Sequence, residues 1–251
     1  MFLRYYILLI VCCVFFASCQ PVPVQEKDEL HIAVAANMQF AMDSIAKVFE
    51  EKSGIATSIS TNSTGMLTAQ IKQGAPYDLL IAANMYYPEK LIQDGLASSA
   101  SIYAYGRIVL VFNKSKHFES LNNALLGNRT KRIAIASPEV APYGTAAVEF
   151  LNNTNLLPSI KKKLIYGESI GQVNQYLVSN ATDVAFTSYS FLCNYKQQFN
   201  YLAIDSNSYS PIEQGAVILK GSKEKEAKLF LEFLFSEQCK EILHYFGYTT
   251  N

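Results

Sequence analysis

Residues 61–84 read TNSTGMLTAQIKQGAPYDLLIAAN, and this stretch contains the unit from which the fold is built. The residues from Leu67 onward have helical spacing, and the glycine and proline of Gly74–Pro76 end that helix. Residues 78–83, DLLIAA, are apolar after the acid at their head and predict a short buried strand. Directly before the helix stand two hydroxyl side chains and a glycine, Ser63-Thr64-Gly65, with no charged neighbour. The pattern predicts a strand, a helix and a second strand, with uncharged hydrogen-bond donors where the helix begins.

The same alternation of strands and helices continues along the chain from residue 30. Strands are expected at LHIAVAA, IATSIS, DLLIAA, RIVLVF, IAIAS, LIYG, DVAF, YLAID and GAVILK, with helices after most of them and two helices at the C-terminal end. Strands that alternate with helices predict an α/β fold with largely parallel sheets. In such sheets ligands bind beyond the carboxyl ends of the strands, so the residues that follow each strand are the candidates for a binding site.

Neutral polar or small residues recur at five junctions between a predicted strand and the next helix. These junctions are AANM at 35–38, NSTG at 62–65, PEVAPYG at 138–144, ESIG at 168–171 and TSY at 187–189. Taken singly, each is explained as an ordinary helix N-cap. Taken together, they bring several helix N-termini to one place, where free N–H groups and aligned helix dipoles favour an anion. The sequence therefore predicts an anion site built from neutral donors.

Length and charge limit the classes of function that the chain can serve. Its 251 residues are enough for one large domain or two smaller ones, each with its own core. Lys plus Arg and Asp plus Glu both number 21, so the formal net charge is zero and no nucleic acid is expected as a partner. The three histidines, His31, His117 and His244, have no paired spacing, so we expect neither a bare metal-ion site nor a cofactor.

The N-terminal segment has the pattern of an export signal rather than of a folded element. Residues 1–19, MFLRYYILLIVCCVFFASC, combine one positive charge with a short apolar run and end in two small residues before Cys19. That ending resembles the lipobox of bacterial lipoproteins and implies a lipid on Cys19; an ordinary cleaved signal peptide is the alternative. Residues 20–29 are polar and are expected to form a tether. The protein is thus expected in the periplasm, anchored to a membrane, with Cys193 and Cys239 as buried thiols.

Five segments, in order along the chain, resemble the periplasmic molybdate-binding proteins of ABC importers. The segments are IAVAANMQFAM at 32–42, NSTGMLTAQIKQGAPYDLLIAAN at 62–84, YAYGRIVLVFNK at 103–114, SPEVAPYGTAA at 137–147 and FGYT at 246–249. The resemblance runs from about Leu30 to Tyr248, and the segment that starts at Ser63 is its most specific part. It implies a two-lobed type 2 periplasmic binding protein fold with the ligand cleft between the lobes. It also implies that the ligand is molybdate or tungstate, which the protein hands to an ABC permease.

The resemblance further implies a set of ligand-binding residues. The set carried over to this chain is Asn37, Ser63, Thr64, Tyr143, Ile170, Ser188 and Tyr189. Asn37 stands where the family often has serine, and the family's tyrosine donor falls on Ser188 or passes to the neighbouring Tyr189. Tyr143 and Ile170 would act only through their backbone N–H groups. Such a set suits molybdate, because a dianion without protons needs donors only and a carboxylate would repel it.

The resemblance also implies where the lobes begin and end. Lobe one is expected to take residues 30–104 plus 215–251, and lobe two residues 108–210. The chain crosses between them at 103–108 and at 211–214, which are the expected hinges. Closure of the lobes on the ligand would produce the form that the permease recognises, and the protein is expected to work as a monomer.

Two alternatives remain open at this point. Residues 167–171, GESIG, fit the G-x-S-x-G motif of serine esterases with Ser169 as nucleophile, and Asp205 and His244 follow in the order that such enzymes require. The motif lacks an oxyanion segment before it, and His244 lies in a predicted helix, so this alternative is less favoured. The second alternative is a binding protein for sulfate, phosphate or another oxoanion. Asp78, the one acid near the predicted site, is interpreted as a structural residue at a strand start.

Overall fold

The structure is a computed structural model that describes residues 29–221 and 223–250. The predicted export signal, Cys19 and most of the predicted tether lie outside the described residues. The strands are β1 Leu30–Ala35, β2 Thr57–Asn62, β3 Leu79–Ala82, β4 Ala97–Gly106, β5 Ile108–Asn113, β6 Ile133–Ala136, β7 Leu164–Gly167, β8 Val184–Ser188, β9 Phe199–Ala203 and β10 Ile212–Leu219. The helices are α1 Gln39–Ser53, α2 Thr64–Lys72, α3 Tyr86–Gln93, α4 Leu121–Leu126, α5 Pro142–Asn153, α6 Leu157–Ile160, α7 Ile170–Val178, α8 Tyr189–Tyr195, α9 Glu224–Leu234 and α10 Glu237–Tyr245. Short 3-10 turns cover Ala36–Met38, Lys161–Lys163 and Ser206–Ser208.

The strands form two five-stranded sheets with matching topology. The first sheet has the order β2-β1-β3-β10-β4 and the second has the order β7-β6-β8-β5-β9. In each sheet three neighbouring strands are parallel, namely β2-β1-β3 and β7-β6-β8. The strand β10 runs antiparallel to β3 and β4, and β5 runs antiparallel to β8 and β9. The sheets are therefore mixed rather than largely parallel, because β5 and β10 each enter their sheet after the chain has crossed from the other one.

Both faces of the first sheet are covered, which explains the continuous apolar runs of its central strands. Along β1, Leu30, Ile32 and Val34 join the core that packs against α1, α9 and α10. Ala33, between them, faces the opposite core, which contains residues of α2 and α3. The second sheet forms a separate core with α5, α7 and α8. We call the half built on the first sheet the first lobe, and the half built on the second sheet the second lobe.

The chain passes between the two sheets twice. The first passage is short, since β4 ends at Gly106 and β5 begins at Ile108. The second lies between the end of β9 at Ala203 and the start of β10 at Ile212. The C-terminal segment returns to the first passage, where Thr249 forms two backbone hydrogen bonds with Tyr105 of β4, at 2.7 and 3.0 Å.

Candidate anion-binding site

A small cavity lies between the lobes at the ends of several strands. It has about 10 Å³ open to the centre of a water molecule, so it is a compact space. Its lining residues are Ala35, Ala36, Asn37, Ser63, Thr64, Ala83, Ala141, Pro142, Tyr143 and Ile170. None of these ten described residues carries a charged side chain. The cavity therefore has the neutral, donor-rich character that the strand junctions predicted.

Ser63 supplies a hydroxyl that the fold itself does not use. The residue is 4 % exposed, and its Oγ has no hydrogen-bond partner among the described residues. Ser63 occupies the N-cap position of α2, but within the described residues its side chain makes no capping bond. A buried polar atom without a partner is costly, so its retention indicates a ligand that completes the bond. The Ser63 hydroxyl therefore indicates a binding site at this cavity.

Thr64 presents a second hydroxyl to the cavity in a fixed orientation. Its side chain is fully buried, and its Oγ1 accepts a hydrogen bond from the backbone N–H of Ala83 at 3.1 Å. A hydroxyl carries one hydrogen in addition to its acceptor lone pairs, so the Thr64 hydrogen remains available to a ligand oxygen. The bond from Ala83 also links the start of α2 to the end of β3, which holds both elements at the cavity.

Two helix N-termini of the second lobe complete the lining. In α5, Pro142 at the first position has no N–H, so the first amide N–H of that helix belongs to Tyr143. In α7, the Ser169 hydroxyl accepts from the N–H of Gln172 at 3.3 Å. The N–H of Ile170 has no bond inside the helix, because it belongs to the first turn. The positive ends of the α2, α5 and α7 dipoles thus meet at one cavity, an arrangement that stabilises an anion.

Asn37 lies at the cavity as expected, but its side-chain amide is used inside the protein. The Nδ2 group donates to Oε1 of Gln214 at 2.8 Å and to the hydroxyl of Tyr248 at 3.0 Å, and it lies 3.4 Å from the hydroxyl of Tyr143. The Nε2 group of Gln214 donates to a backbone carbonyl at 2.9 Å, which fixes the orientation of both amides. Asn37 can still face a ligand through the backbone N–H at the start of its 3-10 turn.

The structure does not bring the last two predicted residues, Ser188 and Tyr189, to the cavity. The Ser188 hydroxyl lies 2.9 Å from that of Ser190, in a buried pair. The Tyr189 ring instead packs against the guanidinium of Arg107, whose central carbon lies 3.8 Å from the ring centroid. The expectation of a tyrosine donor at Ser188 or Tyr189 came from the family resemblance. The backbone of α8 turns the aromatic side chain towards the crossing strand instead.

Two buried phenol hydroxyls, those of Tyr143 and Tyr248, lie beside the Asn37 side chain. Burial raises the pKa of the Tyr143 phenol well above its usual range, and burial raises the pKa of Tyr248 to about 12. Both phenols therefore keep their hydrogens at neutral pH and remain donors. The sequence alone predicts no role for the Tyr143 side chain or for Tyr248, although the tail FGYT is part of the family resemblance.

The two lobes touch each other beside the cavity, so the structure is a closed form. The N–H of Gly65, in the first turn of α2, donates to the backbone carbonyl of Val140 in the second lobe at 2.9 Å. The hydroxyl of Tyr87 donates to the backbone carbonyl of Glu139 at 3.0 Å. A Cβ atom at Gly65 would lie 2.7 Å from the Tyr87 hydroxyl and 2.9 Å from Cα of Val140. Only glycine allows the lobes to approach this closely.

The residues proposed for an esterase are not assembled. Ser169 lines a groove of about 730 Å³ and caps α7, as described above. Asp205 accepts from the backbone N–H of Asn207 at 3.0 Å, and Nε2 of His244 lies 2.9 Å from Oγ1 of Thr250. No hydrogen bond in the described part of the chain joins Ser169, Asp205 and His244, so the motif marks a helix start.

Asp78 and the two cysteines have local roles in the described structure. The Asp78 carboxylate accepts from the backbone N–H groups of His31, at 2.8 Å, and Lys223, at 3.0 Å. It is therefore a structural residue that joins β1 to the segment before α9, away from the cavity. Cys193 and Cys239 are free thiols, of which Cys239 is buried and Cys193 half-buried. No helix within residues 29–221 and 223–250 is long and apolar enough to cross a membrane.

A comparison with protein families assigns the chain to a class of binding proteins. Residues 30–249 match the family described as bacterial extracellular solute-binding protein, and the chain belongs to that family. It is 34% identical to the molybdate-binding protein ModA of Azotobacter vinelandii, over 88% of this chain and 89% of ModA. It is 30% identical to a putative ABC transporter substrate-binding lipoprotein, YvgL, of Bacillus subtilis, over 90% of this chain and 88% of YvgL.

A solved structure supports the same class. The periplasmic molybdate-binding protein of Azotobacter vinelandii superposes with a TM-score of 0.83 at 31% identity, covering 89% of this chain and all of the other. The two-lobed α/β fold predicted from the sequence is thereby confirmed. The relatives are solute-binding proteins rather than enzymes, which agrees with the separation of Ser169 from the other residues of the esterase motif.

Proposed function

We propose that the protein binds molybdate, or its congener tungstate, in the periplasm and delivers it to an ABC importer. The observation that carries the proposal is the buried hydroxyl of Ser63, which has no hydrogen-bond partner in the part of the chain that the structure describes. It lies in a small cavity lined by uncharged residues and three helix N-termini. The similarity to molybdate-binding proteins of known structure supports the choice of ligand. The protein itself requires no cofactor for this task.

The chemistry of the lining favours an oxoanion that carries no proton. The donors are the hydroxyls of Ser63 and Thr64 and the backbone N–H groups of Asn37, Tyr143 and Ile170. A protonated anion such as hydrogen phosphate would also need an acceptor, and no carboxylate is among the described lining residues. Molybdate and tungstate have longer metal–oxygen bonds than the sulfur–oxygen bonds of sulfate. Donors spaced for the larger anions would not all reach a sulfate, and each unmade bond costs affinity.

Closure on the ligand would involve the lobes expected from the sequence, residues 30–104 plus 215–251 and residues 108–210. An anion held between donors of both lobes stabilises the closed form, since the open form offers it only part of the donor set. The permease would then receive the closed, loaded protein. We also propose that the protein works as a monomer, which light scattering of the loaded protein would test.

Calorimetric titration with molybdate, tungstate and sulfate tests the proposed ligand. The protein must first be freed of carried-over anion and shown to be folded. Tight binding of molybdate or tungstate together with weak or absent binding of sulfate is the expected result. Sulfate bound more tightly than both would move the assignment to the sulfate alternative. No heat from any of the three anions would overturn the oxoanion proposal.

The membrane anchor is a separate proposal that rests on the sequence before the described residues. Two small residues precede Cys19, and the similarity to the putative lipoprotein of Bacillus subtilis supports a lipid on that thiol. Metabolic labelling with a fatty acid should mark the wild-type protein and leave Cys19→Ala unlabelled. Equal labelling of both proteins, or no labelling of the wild type in a host that processes lipoproteins, would contradict the anchor.

A further inference from the structure

Asn37 is held by hydrogen bonds on both its backbone and its side chain. Its carbonyl oxygen accepts from the hydroxyl of Ser190 at 2.6 Å and from the hydroxyl of Tyr248 at 2.7 Å. Its Nδ2 group donates to the same Tyr248 hydroxyl at 3.0 Å and to Gln214 at 2.8 Å. Tyr248, near the C-terminus, thus forms two hydrogen bonds with Asn37, the central residue of the 3-10 turn that lines the cavity.

The groups that meet at Asn37 come from distant parts of the chain and from both lobes. Ser190 belongs to α8 of the second lobe, whereas Asn37 follows β1 of the first lobe. Tyr248 comes after the last helix, and the paired backbones of Thr249 and Tyr105 fix its position beside the first crossing between the lobes. The hydroxyls of Tyr248 and Ser190 are 3.4 Å apart, so the three residues form one interlobe cluster. We call Asn37, Ser190 and Tyr248 the Tyr248 cluster.

The direction of the bonds in the Tyr248 cluster follows from the chemistry of the phenol. Tyr248 is 3 % exposed and keeps its hydrogen at neutral pH, so the hydroxyl has one hydrogen to donate and lone pairs to accept. It donates to the Asn37 carbonyl and accepts from the Asn37 amide. These bonds fix the orientation of the Asn37 carbonyl. The N–H groups at the start of the turn, in Ala36 and Asn37, have no partner within the turn and belong to residues that line the cavity.

We propose that Tyr248 is a positioning residue for anion binding, which orients the Ala36–Met38 turn towards the ligand and couples that turn through Ser190 to the second lobe. Tyr248 does not line the cavity itself. Its contribution therefore passes through Asn37, whose carbonyl also accepts from Ser190 of the second lobe. The inference rests on the proposed oxoanion function and adds to it a residue far from the ligand in sequence.

The test compares Tyr248→Phe with Tyr245→Phe, a matched control three residues earlier whose side chain is 65% exposed. Both variants lose one hydroxyl and keep the ring. Tyr248→Phe should raise the Kd for molybdate roughly 10-fold or more, since two hydrogen bonds at the turn are lost, mainly through a faster off-rate. It should also reduce the ligand-induced compaction measured by small-angle scattering. Tyr245→Phe should change neither quantity.

A second variant, Ser190→Ala, tests the same cluster from the other lobe and guards against misfolding of Tyr248→Phe. It should raise the Kd in the same direction, and the double variant should lose less than the sum of the two effects, because the residues share one cluster. If Tyr248→Phe and Ser190→Ala melt at lower temperature but bind molybdate like the wild type, Tyr248 is structural and the inference is wrong. If the wild type itself binds no molybdate, the proposed function fails instead.

Discussion

Replacing Ser63 with alanine separates ligand binding from stability more cleanly than any other change at the cavity. The Ser63 hydroxyl is buried and has no partner among the described residues, so its removal breaks no bond of the ligand-free protein. The free energy of unfolding without ligand should therefore not fall below the wild-type value, and it should rise by up to about 1–3 kcal/mol where the hydroxyl stays buried without a partner. With a dianion bound, the same hydroxyl would donate a charge-assisted hydrogen bond. Such bonds contribute about 1.5–3 kcal/mol, which predicts a Kd roughly 10- to 150-fold higher in Ser63→Ala.

The matched control for Ser63→Ala is Ser120→Ala, because Ser120 also stands at a helix N-cap. The Ser120 side chain accepts from the backbone N–H of Asn123 at 3.2 Å, so it makes the capping bond that Ser63 does not make. Its replacement should cost about 1 kcal/mol of stability and leave the Kd for molybdate unchanged. Calorimetric titration gives the Kd of each variant, and urea unfolding of the stripped proteins gives their stability.

The two serine variants should thus show opposite effects in the two assays. The reasoning is refuted if Ser63→Ala binds molybdate within threefold of the wild type, since the hydroxyl would then have no ligand to complete its bond. It is also refuted if Ser63→Ala loses as much stability as Ser120→Ala, because the Ser63 hydroxyl would then act as a cap. A parallel loss of affinity in both variants would point to a general loosening of the helix starts.

Three further predictions concern closure, acid stability and the esterase alternative. Gly65→Ala places a methyl group 2.9 Å from Cα of Val140, so it should block closure of the lobes. The Kd for molybdate should rise roughly 10- to 100-fold, and small-angle scattering should show no compaction on adding ligand. Normal compaction would contradict the closed contact. Burial alone would raise the pKa of the Asp183 carboxyl. Hydrogen bonds from the Lys116 ammonium and from two backbone N–H groups lower that pKa by a larger amount, so the folded-state pKa is below the ordinary value. The stability from Asp183 is therefore present above about pH 4 and lost as pH falls further, and urea unfolding should show Asp183→Asn destabilised at pH 7 with a smaller difference at pH 3. A chromogenic ester should be hydrolysed no faster than in buffer, and a rate abolished by Ser169→Ala would restore the enzyme alternative.

The elements with strong periodicity could be predicted from the sequence, and those governed by pairing between distant segments could not. The buried runs of β1, β3, β6 and β8 were recognised because both faces of their strands are apolar. Strand β4 was missed, since its first half, ASSAS, is polar and partly exposed and is a strand because it pairs with β10. The short helices α4 and α6 span too few turns to show a period.

Part of the candidate site could likewise be predicted from local sequence patterns, and part could not. Local rules located the junctions that contain Ser63, Thr64, Tyr143 and Ile170, because strand ends meet at one edge of a sheet and helix starts expose N–H groups. The choice of these four residues within the junctions came from the family resemblance. The bonds of the Tyr248 cluster join residues 153 and 211 positions apart, and no local pattern encodes such pairs. The best sequence signal was the tail FGYT, which places a tyrosine beyond the end of the last helix.

Anion binding and lobe closure share the first turn of α2, which gives a physical reason for selection by size. Thr64 faces the cavity, while the N–H of the next residue, Gly65, donates to Val140 across the cleft. A second contact between the lobes is the bond from the Ser190 hydroxyl to the backbone carbonyl of Asn37. With both contacts in place, the lobes cannot move closer to follow a smaller anion without breaking these bonds. A sulfate would therefore leave buried donors unpaired, whereas an anion of the right radius satisfies the donors and the interlobe contacts together.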